Sequence, residues 1–536
     1  MNVSAKPASS MRSVLLALTM GMATALPAVL TVVGPSAVVA QTFPAFRQAL
    51  AEGVAENRAL SSFYRDHGYD PVWTGADHAS RRTALVSALS RAEEHGLPAA
   101  RYDLPGLLAT FNAVETERDR GFVEARASLA FLQYARDISS GVLDPSSVIP
   151  DIVRELPRPD PEQLMSDFLT AEPVSFIRNL APSSPEYARL FHAKRELDAT
   201  IARGGWGPLV QAGSLRPGEG GPAVIALRNR LIAMGYMPRV ATARYDGIMQ
   251  RAVQEFQEAH GIDADGVAGN ATIREINVGP EVRLRNIVVA LERERWLNIP
   301  RGDRHIWVNL TDFTARIVDF DQVTFETRSV VGSRANQTPE FSDEMDHLEI
   351  NPDWTLPRSI VAEYWGALSS GGATHLNLVD GQGNVVPREF VDMAAYSPTT
   401  LPFNVRQPPG PGNPLGEVKF MFPNPYAIYL HDTPSRSLFG RTVRAFSHGC
   451  VRLQDPRDFA YHLLAAQEAD PVAYYNRIRQ SRQETNVYLL TPIPVHLVYR
   501  TAFTSVTGRM NYRDDIYGRD ARLYDALIRA GVEVGA

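Results

Sequence analysis

Cysteine is nearly missing from this chain: Cys450 is the only one in 536 residues. A disulfide framework within the chain is excluded, and so is any site that needs two thiolates. No HExxH stretch occurs, and one cysteine with scattered histidines offers no metal-ligand spacing. An excess of positive charge is also missing. The formal net charge is −6, which gives no electrostatic footprint for nucleic acid. With 44% hydrophobic and 21% charged residues, the composition excludes wholesale disorder, collagen and coiled-coil arrays. At ~150 residues per domain, the length suggests three or four domains.

Long apolar runs are scarce. One stretch could approach the length of a membrane span, from Val14 to about Val33, and Pro27 interrupts it. Lys6 and Arg12 precede it, and Val38 and Ala40 form a small-x-small pattern before Gln41. Residues 1–40 therefore read as an export signal cleaved near Ala40; left uncleaved, the run would be an inner-membrane anchor. Cleavage removes two basic and no acidic side chains and leaves a net charge of −8.

Residues 41–202 read as a helical scaffold. Leu85, Val86, Leu89 and Ala92 share one helical face, and Gly96 stands where a C-cap glycine belongs. A second amphipathic stretch runs from Phe122 to Ser140 and stops at Gly141. Residues 203–222 hold seven glycines and three prolines and read as a linker. In residues 223–278, Leu227, Leu231 and Met234 mark one helix closed by Gly235. Ala252, Val253 and Phe256 mark a second, capped by Asp246 and closed by Gly261. A third short helix follows the Asp265-Gly266 turn.

Strand patterning begins after a helix from about Val282 to Trp296. Ile306, Val308 and Leu310 alternate with polar or aromatic neighbours. Strands are expected over 315–320 and 323–331, joined by a hairpin at Asp319 to Gln322, and over 418–422, 427–431, 487–490 and 495–499. Residues 282–505 thus form a β-rich domain, interrupted by an insertion at about 358–416 that begins helically and ends in a Pro/Gly-rich tract. An insertion of that length inside a compact domain suits a lid. Residues 506–536 read as a C-terminal tail.

Cys450 lies on a turn with Gly449, followed by Val451 and Leu453 and then by a helix with Asp455 at its N-cap and Pro456 at N1. Such a turn exposes the thiol and sets backbone N–H groups beside it, which favours the thiolate. A cysteine nucleophile needs a base. Of twelve histidines, His448 and His431 are near in sequence. His431 ends a strand that also carries Tyr429, so its orientation is fixed by the sheet, and it is the better-placed base. His448 suits a backbone oxyanion donor.

His431, fifteen intervening residues, and then Ser447-His448-Gly449-Cys450-Val451-Arg452 resembles the active-site motif of the L,D-transpeptidases, exported cysteine enzymes that cross-link peptidoglycan. Residues 223–278 resemble the three-helix peptidoglycan-binding module, on Ala252 to Gln257, Gly261 to Gly266 and Thr272. The stretches VVGSRANQTPEF, NPDW, IYLHDTPSRSLF and MNYRDDIYGRD, with Arg452, are similar to the large multidomain Gram-negative subgroup. The resemblance implies a multidomain α+β chain: helical scaffold, binding module, and catalytic domain with an inserted capping subdomain. It implies Cys450 as nucleophile, His431 as base and backbone N–H groups of His448, Gly449 and Cys450 as the oxyanion hole. Arg452, Ser447, Tyr429 and Trp354 become candidate substrate contacts. No cofactor or metal is implied. Donor and acceptor would be peptidoglycan stem peptides, joined 3→3 with release of D-Ala. The resemblance further implies a periplasmic monomer, with other cell-wall synthesis enzymes as partners and carbapenems as ligands of the thiol. Water as acceptor would make an L,D-carboxypeptidase, and a lipoprotein lysine an anchoring enzyme. A non-catalytic wall-binding protein is a further alternative.

Overall fold

The computed structural model describes residues 44–505 and 507–534. The apolar run read as an export signal lies outside them. Among the described residues no helix is long and apolar enough to cross a membrane.

The N-terminal part is helical. Helix Glu117–Ser140 is its axis, opened by a reciprocal capping box in which Thr116 accepts from the Asp119 N–H and Asp119 accepts in return. Buried Glu124 holds the 72–74 loop by accepting from three successive backbone N–H groups, so a charge inside the core is fully paired. The segment 203–222 is less free than its composition suggests: Val210 and Leu215 are buried in the core of the next module, and Leu215 bridges to Ala268. That module packs helices Pro222–Ala233, Gly247–Ala259 and Asn270–Ile276. Asp246 accepts from the N–H groups of Ile248 and Met249 at its expected cap.

Helix Pro280–Trp296 leads into the β domain. Its strands are β1 (Arg304–Asn309), β2 (Thr314–Asp319), β3 (Gln322–Gly332), β4 (Phe341–Ile350), β5 (Trp354–Thr355), β6 (Asn377–Val379), β7 (Val385–Val386), β8 (Asn404–Gln407), β9 (Val418–Met421), β10 (Leu430–His431), β11 (Ala445–Ser447), β12 (Val451–Leu453), β13 (Thr485–Val498), β14 (Ala502–Thr504) and β15 (Met510–Tyr512). The main sheet runs β11-β3-β12-β10-β9-β4-β13-β1-β2, and β2 pairs back to β3. The β2–β3 pairing closes eight of these strands around an apolar interior, with β11 added outside on β3. One inward row is Val451, Leu430, Phe420, Leu348 and Val487, all buried and joined in register.

Three local expectations change. The strands expected at 487–490 and 495–499 are one strand, β13, whose register shifts between Tyr488 and Ile493; Pro492 falls in the shift, where a missing N–H costs no ladder bond. The strand expected from Ala427 begins only at Leu430, because Ala427 is left-handed (φ 53°) inside a turn tied by Asn424. Asp455 precedes helix Pro456–Leu464 but does not cap it with its side chain, which instead accepts from Thr327 on β3.

The insertion is a small α+β subdomain. Helix Arg358–Ser369 and the sheet β5-β8-β6-β7 share a core of Trp354, Val361, Leu378 and Val405. Residues set apart as a C-terminal tail are integral to the fold: β15 pairs with β14, and helix Arg519–Arg529 packs on helix Pro280–Trp296. There Arg293 pairs with Asp520 at 2.8 Å and Arg519 with Glu340 at 3.0 Å, all four buried. Such mutual pairing offsets the desolvation of the charges.

Candidate active site

Alternation along β10 and β12 decides which side chains meet. Leu430 pairs with Val451 and His431 with Arg452. The inward set fills the core, so Tyr429, His431, Cys450 and Arg452 share the opposite face. His431 also pairs with Lys419 on β9, and Lys419 with Glu349 on β4. A polar row therefore crosses four strands: Arg452, His431, Lys419, Glu349. It floors a pocket of about 700 Å³ that Cys450 also lines. The residues named above for catalysis or substrate contact that line this pocket are Cys450, His431, Arg452, Ser447, Tyr429, Trp354 and His448. Gly449 lies on the turn between His448 and Cys450, and Trp354 on β5 with Glu363 and Tyr364 of the insertion's helix also line the pocket.

His431 is buried. Its Nδ1 stands 2.5 Å from the Asp432 carbonyl oxygen. A carbonyl only accepts, so Nδ1 carries the proton and Nε2 keeps its lone pair. Burial, then the positive charge of Arg452, pushes the imidazole down to about 3.

Cys450 is half-buried, and its thiol donates to the Ala427 carbonyl at 3.5 Å. The expectation of a favoured thiolate is not met. Burial raises the thiol above its ordinary value, while hydrogen bonding from Tyr429 and the charges of Lys419 and Arg452 pull it back only in part. The resting pair is neutral thiol and neutral imidazole. Tyr429 packs edge-on to His431, ring centroids 5.6 Å apart, with the Lys419 ammonium 4.5 Å from its ring centre.

Gly449 has φ 121°, and a Cβ there would meet Ile428 at 3.1 Å, so the turn needs glycine. Its carbonyl accepts from Thr338 Oγ1 at 2.6 Å. In a trans peptide the following N–H points the opposite way, so Thr338 aims the Cys450 N–H away from itself. Among the described residues, the N–H groups of His448, Gly449 and Cys450 have no acceptor. The His448 side chain is half exposed and meets Glu363 of the insertion at 3.3 Å. Ser447 is buried on β11, and its carbonyl accepts from Ser333. Arg452 lines the pocket with its Nε buried and without a hydrogen-bond partner.

Sequence reasoning missed the acidic wall and the one lysine. Asp353 and Glu484 both line the pocket and are pushed up by burial; Glu484 accepts from the Asp353 N–H at 3.1 Å. Lys419 pairs with Glu349 at 3.0 Å. A signal for it existed: the chain has three lysines, Lys6, Lys194 and Lys419, against an abundance of arginine. Among the described residues no cluster of three or more His, Cys, Asp or Glu is placed to hold a metal ion.

Residues 303–485 match the L,D-transpeptidase catalytic domain family, residues 220–276 a putative peptidoglycan binding domain, and residues 58–193 a scaffold domain. The β domain is thus an L,D-transpeptidase catalytic domain. A putative L,D-transpeptidase of Haemophilus influenzae is 30% identical over 240 residues, 44% of this chain and 48% of that protein. The chain is thus similar to L,D-transpeptidases over its β domain and carries, ahead of it, a match to a peptidoglycan-binding domain. It spans about half the length of the curated relative that it matches. Among solved structures, it is similar to an L,D-transpeptidase of Xylanimonas cellulosilytica at 15% identity, covering 55% of this chain and 98% of that one with a TM-score of 0.16. An L,D-transpeptidase of Stackebrandtia nassauensis is also 15% identical, with coverages of 55% and 97% and a TM-score of 0.21.

Proposed function

We propose that the protein forms 3→3 cross-links between peptidoglycan stem peptides through a Cys450 thioester. The observation that carries this reading is one pocket holding a thiol, an imidazole with its lone pair free, three unpaired N–H groups on the thiol's own turn, and a guanidinium with an unpartnered Nε.

In this reading a stem tetrapeptide presents the bond between the L-centre of its diamino acid and the terminal D-Ala. Its carboxylate pairs with Arg452, whose planar fork suits that group. His431 Nε2 takes the thiol proton as Cys450 Sγ attacks the carbonyl carbon. Because both groups start neutral, the transfer accompanies attack instead of preceding it. The oxyanion is held by the turn's N–H groups, each worth about 3 kcal/mol in acyl transfers of this kind. Protonated His431 delivers the proton to the departing D-Ala amine. An amine from a second stem attacks the thioester, loses its proton to His431 and releases the thiol. The insertion covers the site against water, and the binding module raises the local concentration of wall. Export to the periplasm fits a substrate found there.

Purified wall fragments incubated with the full chain and with Cys450→Ala, followed by mass spectrometry of the products, test the reading. Dimers linked 3→3 are expected from the first and absent from the second. Dimers formed by Cys450→Ala would remove the nucleophile. Free tripeptide as the main product would make water the acceptor.

A further inference from the structure

The His431-Asp432 dipeptide separates two cavities. His431 lines the catalytic pocket; Asp432 lines a second pocket of about 530 Å³ on the other side. Four arginines from three elements meet there. Arg436 belongs to a short helix after β10, Arg457 to helix Pro456–Leu464, Arg479 to helix Pro471–Ser481, and Arg482 ends that helix in the left-handed conformation (φ 58°). The Pro409-Gly410-Pro411 tract of the insertion forms part of the rim.

Only two carboxylates line the same pocket, Glu417 and Asp432. Glu417 accepts from Nε and Nη2 of Arg457, at 2.7 and 2.8 Å, and is shared with Arg479 at 3.3 Å. Buried Asp432 accepts from Arg436, from the Glu417 N–H and from the Thr433 N–H. Its charge is thereby spent. Among the described residues Arg482 has no carboxylate partner, and Arg479 holds only the outer share of one already taken by Arg457. Two formal positive charges are left over in a concave site of ligand size. Like charges gathered in this way repel unless an anion joins them, and guanidinium groups engage carboxylate or phosphate oxygens in pairs.

We propose that this pocket is an anion-binding site, held chiefly by Arg479 and Arg482, for a ligand carrying carboxylate or phosphate oxyanions. It is distinct from the site of acyl transfer, and its ligand contacts neither Cys450 nor His431. The two sources of such oxyanions are an acidic peptide and a phosphate-bearing polymer or headgroup.

Calorimetric titration of the full chain at low ionic strength, with inorganic pyrophosphate and separately with a tetraglutamate peptide, tests the site. At least one probe is expected to bind, more weakly as salt is added. Arg479→Ala/Arg482→Ala is expected to weaken it about tenfold or more, with the native circular dichroism spectrum retained. Cys450→Ala is expected to bind like the parent, which separates this site from the reading of Cys450. Tighter binding of the peptide assigns the carboxylate source, and tighter binding of pyrophosphate the phosphate source. Arg482→Ala alone breaks no ion pair and serves if the double variant does not fold. Binding of neither probe, or equal binding by parent and arginine variants, overturns the proposal.

Discussion

The Cys450 thiol donates to the Ala427 carbonyl, 3.5 Å away, while the free nitrogen of His431 waits in the same pocket. Ala427 can offer that carbonyl because Asn424 ties the preceding turn and holds Ala427 left-handed. The resting proton therefore sits on sulfur. Alkylation by iodoacetamide requires the thiolate, and burial raises this thiol. Cys450 is expected to react at pH 8 several-fold more slowly than a free cysteine, with a rate that still climbs above pH 9. A fast, pH-independent reaction near neutrality would show a resting thiolate–imidazolium pair instead.

In the proposed reaction His431→Ala removes the proton acceptor but leaves the turn and its N–H groups. Turnover is expected to fall by about 10²–10⁴, while a donor peptide still binds to the variant. Stopped-flow release of D-Ala and equilibrium binding check the two parts. Robust turnover would move the base to His448.

Arg452 has an Nε that is buried and unpartnered. A donor without its terminal carboxylate loses that partner. Arg452→Ala is expected to raise KM for the intact donor by about tenfold to a hundredfold, with a smaller change in kcat. Arg452→Lys is expected to recover only part of the loss, because an ammonium does not reproduce the fork. Equal kinetics for all three proteins would make the side chain structural.

The motif around Cys450 was legible because its members are close in sequence and the chemistry needs those residue types. The placement of His431 was legible because a strand end fixes its orientation and the Cys450 turn follows close in sequence; in the fold β10 lies against β12, with His431 opposite Arg452. Lys419, Glu349, Asp353 and Glu484 were not, since sheet register and the insertion bring them together and no local pattern records register across four strands. The state of the thiol was misread for a related reason. A turn beside glycine looks exposed in sequence, yet Cys450 packs with Tyr429 against the barrel core, in a pocket that the insertion also lines. The helix-capping role expected of Asp455 failed because Thr327, distant in sequence, competes for the same carboxylate.

Lys419 and Glu349 are largely buried neighbours on adjacent strands, 3.0 Å apart. Removing one leaves the other charged and unpaired. Lys419→Met and Glu349→Gln are each expected to lower stability, and the double variant by less than the sum, with a coupling of about 1–3 kcal/mol. Urea unfolding of the four proteins measures the cycle. Additive losses would mean that the pair contributes no mutual stabilisation.

Four histidines, His95, His260, His431 and His496, are each pushed down to about 3, with burial the leading cause. The ordinary value is 6.5. Above that value folded and unfolded chains are both neutral at these positions, so they add no pH dependence. Below it the unfolded chain takes up protons that the folded chain refuses, and stability falls with pH until about 3, where the folded imidazoles also charge. The melting temperature is therefore expected to drop steadily from pH 6.5 toward pH 3. His260→Gln and His496→Gln each remove one such proton, so each is expected to flatten the slope in that window, whatever it does to the plateau above it. A slope unchanged in both variants would place the acid sensitivity on the carboxylates instead.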